Sequence, residues 1–308
     1  MKKLPKLVVI LGPTGSGKSE LAAKMAKQFN GEIINADSRQ IYREMNIGTG
    51  KITNPADRKT HRSSVFIHGI RHHLVDVVKP SKSFTLAQYQ KLAFRAIDDI
   101  IRRKKLPILV GGTGLYIRAV VDNLDIPKVA PNQPLRLQLE FESAVLLYKR
   151  LKILDPQTAK TIDRRNIRRL VRALEVVLTK QSSFKSLQKI KKPRYEVLQI
   201  GLWINREMLN KRIEKRFKQM VNIGLVEETK ALLRTYSTNL PSMSGIGYAE
   251  IGRYLHGEIS LKLATELAVI RSRQYAKRQM TWFKKDPRIL WISKPQEATK
   301  ITRFFLNK

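Results

Sequence analysis

The feature that most constrains this chain is a glycine-rich loop close to its N-terminus. Residues 12–19, with the sequence GPTGSGKS, match the pattern G-x-x-x-x-G-K-[ST] at every fixed position. The β-branched run Lys6–Leu11 precedes the loop and is typical of a strand buried in a parallel sheet. Apolar residues at helical spacing from Leu21 to Phe29 predict a helix directly after it. This order of strand, loop and helix predicts an α/β core with a mostly parallel sheet.

A loop of this kind binds the phosphates of a di- or triphosphate. Its glycines let backbone N–H groups close around phosphate oxygens, and the N-terminus of the following helix adds a favourable dipole. Lys18 is expected to neutralise phosphate charge and Ser19 to hold Mg²⁺. The candidate diphosphate-binding residues are Gly12, Pro13, Thr14, Gly15, Ser16, Gly17, Lys18 and Ser19. The motif leaves open which phosphate compound binds.

Two further predicted strands end near the same edge of the sheet. The run Glu32–Ala36 leads to Asp37, and Leu106–Val110 leads to the glycine-rich segment 111–114. Residues at the carboxyl ends of parallel strands line the ligand crevice, so Asp37 should face the bound phosphates. The alternative is that Asp37 is only the N-cap of a following helix.

The segment after Val110 argues against ordinary nucleotide hydrolysis. An ATPase or GTPase usually carries an acidic Mg²⁺ ligand after such a strand, whereas this chain has Gly111 and Gly112 there. The guanine-reading motif N-K-x-D is also missing from the sequence. The phosphate loop is therefore predicted to serve a different reaction.

Charge points to a polyanionic partner. The chain has 60 Lys and Arg against 25 Asp and Glu, a net charge of +35. Between Lys149 and Lys218 there are 21 basic and 6 acidic side chains. Dense arginines, here Arg164, Arg165, Arg168, Arg169 and Arg172, suit phosphate oxygens, although a solvated basic surface is the alternative. We therefore favour a nucleic acid.

Composition and hydropathy narrow the class of protein further. The chain has no cysteine, which excludes disulfides, thiol nucleophiles and thiolate zinc sites. No apolar run approaches the roughly 20 residues of a membrane span, and no signal-peptide pattern is present. We expect a cytoplasmic protein with no membrane partner.

Several sequence blocks follow one another between Lys6 and about Ile292. They read GPTGSGKS, INADSRQIYREMNIGT, HHLVDV, PILVGGTGLYIRA, RRLVRALEV, GIGYAEIGRYLHGE and RQYAKRQMTWF. In this order they resemble the tRNA dimethylallyltransferase (tRNA isopentenyltransferase) family, in its bacterial form. The first block alone is unspecific, and its combination with the others is specific. We predict a P-loop NTPase-like core at 1–124 and 194–308, with a helical tRNA-binding insertion at 125–193.

The resemblance implies a prenyl transfer. Dimethylallyl diphosphate would supply the group, N6 of the adenosine immediately 3′ of the anticodon would accept it, and Mg²⁺ would accompany the diphosphate. Ionising the allylic C–O bond builds charge on the leaving diphosphate, which requires fixed cations and donors. By resemblance, Thr14 contacts the leaving group near the bridging oxygen and Arg216 binds the diphosphate. The exocyclic amine is a poor nucleophile, and Asp37 matches the family's general base.

The resemblance also implies contacts with the anticodon stem-loop of tRNA. The candidates are Asp37, Ser38, Arg39, Gln40, Thr113, Arg136, Arg168, Arg169, Leu170, Val171, Arg172, Ser244, Gly245, Ile246, Gly247, Tyr248 and Ala249. A base that leaves its stack needs an aromatic partner, for which Tyr116, Tyr248 and Trp282 are candidates, although each is also typical of a core residue. We expect the chain to act as a monomer.

A long amphipathic helix is predicted over Ser260–Lys285. Its apolar residues, including Leu263 and Ile270, are expected to cover the core, and basic residues such as Lys277 and Arg278 to face a polyanion.

Two other functions stay open. A small-molecule enzyme, either an adenylate isopentenyltransferase or a P-loop kinase, would share Lys18 and Asp37 but would not need the dense basic segment. A non-catalytic RNA-binding protein could use the loop as a nucleotide switch, but the missing guanine-reading and metal-holding motifs argue against it.

Overall fold

The computed structural model describes residues 3–51, 58–61, 64–127, 129–180, 183–184 and 190–308. Its strands are β1 (Lys6–Leu11), β2 (Gly31–Asn35), β3 (Arg58–His61), β4 (Ser64–Ile67), β5 (Ile70–His73), β6 (Leu106–Gly111), β7 (Glu196–Leu202) and β8 (Ile289–Ile292). Its helices are α1 (Lys18–Gln28), α2 (Leu86–Arg102), α3 (Gly114–Val121), α4 (Gln133–Glu140), α5 (Ala144–Leu154), α6 (Pro156–Ala159), α7 (Ile167–Lys180), α8 (Arg206–Asn222), α9 (Leu225–Thr235), α10 (Tyr248–Leu255), α11 (Leu261–Phe283) and α12 (Pro295–Asn307).

The described strands form one mostly parallel sheet in the order β3-β4-β5-β2-β6-β1-β7-β8. Among the described strands, the β3-β4 and β4-β5 pairs are the antiparallel ones. The central strand β1 pairs in parallel with β6 and β7, and Val8 lies opposite both Ile108 and Leu198. This arrangement confirms the predicted P-loop NTPase-like α/β fold. The strand at Lys6–Leu11 matches its predicted bounds, and β2 and β6 match theirs to within one residue at each end.

Helices cover both faces of the sheet, which explains why β1 is apolar without alternation. Leu7, Val9 and Leu11 face one core, to which α2 contributes Tyr89 and Ile97. Val8 and Ile10 face a second core, to which α1 contributes Leu21, Ala22 and Met25 and α12 contributes Ala298. All five residues from Leu7 to Leu11 are fully buried.

A third core joins helices α8 to α11 to the segment that follows β2. It contains Ile41 and Met45 from that segment, Ile213 and Phe217 from α8, and Tyr248 from α10. This packing brings side chains from distant parts of the sequence to the carboxyl edge of the sheet.

Helix α11 confirms the predicted element but not its predicted face. Leu263 and Ile270 are 42% and 47% exposed, and the buried side is made mainly of small residues such as Ala264, Ala268 and Ala276. Small side chains let helices approach closely, so α10 and α8 pack against this stripe. The prediction was wrong because it assigned burial to the largest apolar residues.

The chain divides into two compact units, which are residues 1–121 with 194–308, and residues 122–193. The second, called the helical unit below, contains α4 to α7 around its own core of Leu139, Leu147, Leu151, Leu170 and Leu174. Within the described ranges, none of the helices combines the length and the apolar composition that a membrane crossing requires.

Candidate active site

The glycine-rich loop connects β1 to α1 at the carboxyl edge of the sheet. A backbone hydrogen bond from Ser16 N to Pro13 O (3.2 Å) closes the loop. Gly17 has φ +89° immediately before α1 begins at Lys18, in the left-handed region where glycine is favoured. The loop therefore presents backbone N–H groups at a helix N-terminus, which is a favourable place for an anion.

Two partly buried cations converge on this loop. Lys18 Nζ donates to Pro13 O at 3.2 Å, and Arg216 Nη1 on α8 donates to Thr14 Oγ1 at 3.4 Å. Burial lowers the pKa of Lys18 to about 8, with the charge of Asp37 opposing this shift and that of Arg216 adding to it. Burial likewise lowers the pKa of Arg216, again opposed by Asp37. Across the described chain, neither cation has a carboxylate ion pair, so an anion here would satisfy both.

Asp37 follows β2 in a fixed turn. Its Oδ1 accepts from Arg39 N at 2.8 Å, and its own N–H donates to Asn35 Oδ1 at 3.2 Å. Turn residues and no helix follow, so the N-cap alternative was wrong. No described residue donates a hydrogen bond to Oδ2, which leaves that oxygen able to accept a proton from a substrate.

Ser38 and Thr113 tie the ends of β2 and β6 together. Ser38 N donates to Thr113 Oγ1 at 3.0 Å, and Thr113 N donates to Ala36 O at 3.1 Å. The Thr113 side chain also hydrogen-bonds Tyr275 of α11, whose pKa is raised to about 12, chiefly by burial and then by the charge of Asp37. The sequence analysis missed Tyr275, because it divided this helix into an apolar side for the core and a basic side for a polyanion and assigned no site residue between them.

Gln279 of α11 bridges the phosphate loop and the end of β6. Its Oε1 accepts from Thr14 N at 2.8 Å, and its Nε2 donates to Gly112 O at 2.8 Å. The residue is almost completely buried. The sequence signal that could have revealed it is a glutamine at helical spacing between two core residues of α11, Ala276 and Phe283.

Close packing explains why glycines occupy positions 111 and 112, at the end of β6 and directly after it. A Cβ at Gly111 would lie 2.2 Å from Ala36 O, and one at Gly112 would lie 2.2 Å from Gln279 Nε2. Real Cβ atoms do not approach other atoms so closely, so an acidic side chain at either position would disrupt the crossing of β2, β6 and α11.

Arg39 connects the Asp37–Gln40 segment to residues 241–244. Its Nη1 donates to Pro241 O at 2.7 Å, and its Nη2 donates to Ser244 Oγ at 3.4 Å. Two predicted site segments, 37–40 and 244–249, are therefore brought together at the edge of the sheet.

Of the three candidate aromatic partners, only Trp282 is exposed. Tyr116 is buried and stacks on Tyr89 with ring centroids 3.8 Å apart. Tyr248 is 2% exposed and donates its hydroxyl to Glu228. Tyr116 and Tyr248 are therefore core residues, which was the alternative given for them. Trp282 is 40% exposed and lines a concave surface together with Lys277, Arg278, Thr281 and Lys285.

The helical unit holds the remaining candidates for tRNA contact. Glu175 of α7 is fully buried and accepts from Arg136 Nε and Nη2, both at 2.8 Å, as well as from Arg172 Nη1. Leu170 and Val171 are core residues. Arg168 and Arg169 are exposed on the first turn of α7. Within the predicted segment Arg168–Arg172, the structure thus distinguishes the exposed Arg168 and Arg169 from Arg172, which is paired with Glu175.

Comparisons with known proteins extend over nearly the whole chain. The sequence model of the IPP transferase family matches residues 40–286. The chain is 42% identical to a tRNA dimethylallyltransferase of Synechocystis sp., covering 100% of this chain and 99% of that protein. It is 44% identical to a tRNA dimethylallyltransferase of Pelotomaculum thermopropionicum, covering 94% and 91%.

Solved structures with the same names have the same fold. A tRNA isopentenylpyrophosphate transferase of Bacillus halodurans superposes with a TM-score of 0.71 at 36% identity, covering 98% of this chain and 96% of that one. A eukaryotic dimethylallyltransferase described as acting on tRNA superposes with a TM-score of 0.81 at 28% identity, covering 98% and 80%. Sequence and fold therefore agree on one group of relatives.

Proposed function

The chain belongs to the IPP transferase family, and from this premise we propose that it is a tRNA dimethylallyltransferase. It transfers a dimethylallyl group from dimethylallyl diphosphate to N6 of the adenosine immediately 3′ of the anticodon, and it releases diphosphate. Relatives that align with nearly the whole chain bear this name, and a solved structure with the same fold is described as a tRNA isopentenylpyrophosphate transferase.

One observation carries the proposal. Among the described residues, neither Lys18 nor Arg216 has a carboxylate ion pair. Both are partly buried, both hydrogen-bond the phosphate loop, and both feel the charge of Asp37. Cations held this way are poised for an anion that arrives with the substrate, and the loop N–H groups are suited to a diphosphate. An amine-activating carboxylate next to a diphosphate site fits transfer of an alkyl group to nitrogen.

Bond making and breaking follow from this placement. The C1–O bond of the dimethylallyl diphosphate breaks, and its electron pair stays on the leaving diphosphate, where Lys18, Arg216 and the loop N–H groups stabilise it. The lone pair of adenosine N6 forms the new N–C1 bond. The proton released from N6 passes to Oδ2 of Asp37, the oxygen to which no described residue donates a hydrogen bond.

Mg²⁺ is part of this proposal, and the residues present fit it. Mg²⁺ prefers oxygen ligands and is usually held by one or two protein groups together with substrate phosphates and water. Ser19 offers an exposed hydroxyl in the first turn of α1, and the described residues contain no cluster of three or more His, Cys, Asp or Glu suited to a protein-only metal site. Ser19 would hold the ion, which would neutralise charge on the diphosphate.

Binding of tRNA is assigned to exposed cations. Arg168 and Arg169 of the helical unit supply phosphate contacts, and Trp282 with its basic neighbours supplies a surface for unstacked nucleotides. We assign the remaining predicted contacts to the Asp37–Gln40 segment, Thr113 and residues 244–249. We also propose that the protein carries out this reaction in the cytoplasm and as a monomer.

The direct test supplies unmodified tRNA, Mg²⁺ and labelled dimethylallyl diphosphate and asks whether label enters the RNA. We expect label in the tRNA at the adenosine next to the anticodon. Label that enters free AMP but not tRNA would instead identify an adenylate isopentenyltransferase. Phosphoryl transfer from ATP to a small molecule, without prenyl transfer, would identify a kinase.

A further inference from the structure

A tight turn at residues 46–51 lies between the Asp37–Gln40 segment and Arg216. On one side, Gln40 Nε2 donates to Thr49 O at 3.2 Å. On the other side, the backbone of Gly50 touches the guanidinium of Arg216, because a Cβ at Gly50 would lie 1.7 Å from Arg216 Nη2. Gly50 has φ +68°, a conformation that favours glycine. The turn therefore forms one wall of the space that Arg216 occupies.

Glu228 of α9 accepts hydrogen bonds from the backbone of this turn. Its Oε2 accepts from Asn46 N at 3.0 Å and Ile47 N at 2.9 Å, and its Oε1 accepts from Gly48 N at 3.2 Å. Three successive N–H groups thus share one carboxylate, an arrangement that only an anionic acceptor satisfies in full.

Tyr248 completes the arrangement. Its hydroxyl donates to Glu228 Oε1 at 2.6 Å, and its ring packs on Gly48, where a Cβ would lie 2.5 Å from ring atom Cζ. Burial, and then the neighbouring charge of Glu228, raise the pKa of this phenol well above its ordinary value. The phenol therefore stays protonated and acts as a fixed donor to Glu228.

We propose that Glu228 is a positioning residue for the transfer reaction. It fixes the turn 46–51 in the conformation that keeps Arg216 within hydrogen-bond distance of Thr14 in the phosphate loop. The inference rests on the proposed function, in which Arg216 binds the diphosphate. The hydrogen bonds of Glu228 to other described residues go to the turn and to Tyr248, so it acts through the backbone of the turn. Its role ends at the diphosphate site and needs no contact with tRNA.

The informative substitution is Glu228→Gln. The amide keeps the shape of the side chain but replaces one acceptor oxygen with an NH₂ group, which faces N–H donors instead of accepting from them. Glu227→Gln is the matched control, because Glu227 is the preceding residue of α9 and is exposed. Gly50→Ala is the second variant, because its Cβ would displace Arg216 directly without changing the side chain of Glu228.

The experiment measures binding of inorganic diphosphate with Mg²⁺ to the full chain by calorimetry, alone and in the Arg216→Ala background. We expect Glu228→Gln and Gly50→Ala each to weaken diphosphate binding by about tenfold, and Glu227→Gln to leave it unchanged. In the Arg216→Ala background both variants should have little further effect, because they act through the residue already removed.

The outcomes separate the positioning role from the proposed function. Effects of Glu228→Gln and Arg216→Ala that simply multiply would show that Glu228 only stabilises the fold, and the proposal would be wrong. Should Glu228→Gln not fold, Glu228→Asp, which keeps the charge but draws the carboxylate back from the turn, is measured in its place and decides in the same way. An Arg216→Ala protein with normal diphosphate affinity would remove Arg216 from the site, and the positioning role with it. If the effects of Glu228→Gln and Arg216→Ala on diphosphate binding are not additive, but the protein transfers no prenyl group to tRNA, Glu228 still positions Arg216 for diphosphate binding and the proposed reaction is wrong.

Discussion

Cations in the phosphate-loop site and in the helical unit have opposite surroundings. Lys18 and Arg216 are partly buried, lack a carboxylate ion pair among the described residues, and have lowered pKa values because burial disfavours their charge. Arg136 is held in a bidentate pair by buried Glu175, whose hydrogen bonds raise the pKa of the guanidinium. An unpaired buried cation favours an incoming anion, whereas a paired one stabilises the fold. The difference distinguishes ligand-binding basic residues from structural ones, although the sequence shows both only as positive charge.

The largest effect is expected at Asp37, the carboxylate whose charge acts on both Lys18 and Arg216. Asp37→Ala should lower the rate of prenyl transfer by about 10³-fold, since general-base catalysis contributes about 10²–10⁴-fold. Binding of tRNA should stay nearly intact, because Asp37 is one small contact in a large interface. Single-turnover transfer assays and filter binding measure the two effects. A loss of tRNA affinity as large as the loss of rate would remove Asp37 from the role of base.

Removing an unpaired cation should separate activity from stability. Lys18→Met should lower the transfer rate by about 10²-fold, because one donor to the leaving diphosphate is lost. Thermal unfolding of the free protein should shift little or to higher temperature, because no folded-state ion pair is broken. Transfer assays and calorimetric melting test this contrast. A large destabilisation would mean that Lys18 has a structural partner and that the comparison with Arg136 is mistaken.

The opposite result is expected in the helical unit. Glu175→Gln should lower the free energy of unfolding by about 2–4 kcal/mol, because two arginines lose the buried carboxylate that they share. Diphosphate binding should be unchanged. Urea unfolding of the full chain measures the stability, and Glu140→Gln, an exposed acid on α4, is the control, expected to change stability by no more than about 0.5 kcal/mol. Equal stability of the two variants would contradict a structural role for the pair.

The lowered pKa of Lys18 predicts a pH dependence that paired arginines do not produce. Its ammonium is charged below about pH 8 and neutral above, so diphosphate affinity should fall as pH rises through this value. For a single titrating group the loss is about fivefold between pH 8 and pH 9. Binding of diphosphate to wild type and Lys18→Met across this range tests the assignment. A step of equal size in Lys18→Met would place the titrating group elsewhere.

Local sequence patterns predicted the framework of the site. The glycine-rich loop, β1 and the end of β2 are encoded by neighbouring residues, and their bounds could be set from periodicity and turn chemistry. The contacts of Gln279, Tyr275 and Glu228 could not be predicted this way, because each of these residues acts on a partner far away in the sequence. Gln279 contacts Thr14 and Gly112, and Glu228 contacts the turn at 46–48.

Charge density overstated the number of arginines available to RNA for a related reason. Counting basic residues treats every cation as free, whereas Glu175 sequesters Arg136 and Arg172 inside the helical unit. The long helix α11 shows the same limit for apolar residues, since its core face is set by Ala264, Ala268 and Ala276 and not by its leucines. Contacts with neighbouring elements decide which arginines are paired and which face of α11 is buried. Those contacts exist only in the folded chain and cannot be counted from the sequence.

The smallest effect should come from a single exposed arginine, and it bears directly on which cations hold RNA. Arg168→Ala should weaken tRNA binding only about threefold, because one phosphate contact in many is lost. The slope of log affinity against log salt concentration should fall in magnitude by about 1, since one fewer counterion is released. Lys300→Ala, an exposed cation of α12 outside the helical unit, should leave the slope unchanged. A salt slope insensitive to Arg168 would mean that the exposed face of α7 does not touch the RNA, and that the basic segment serves solubility instead.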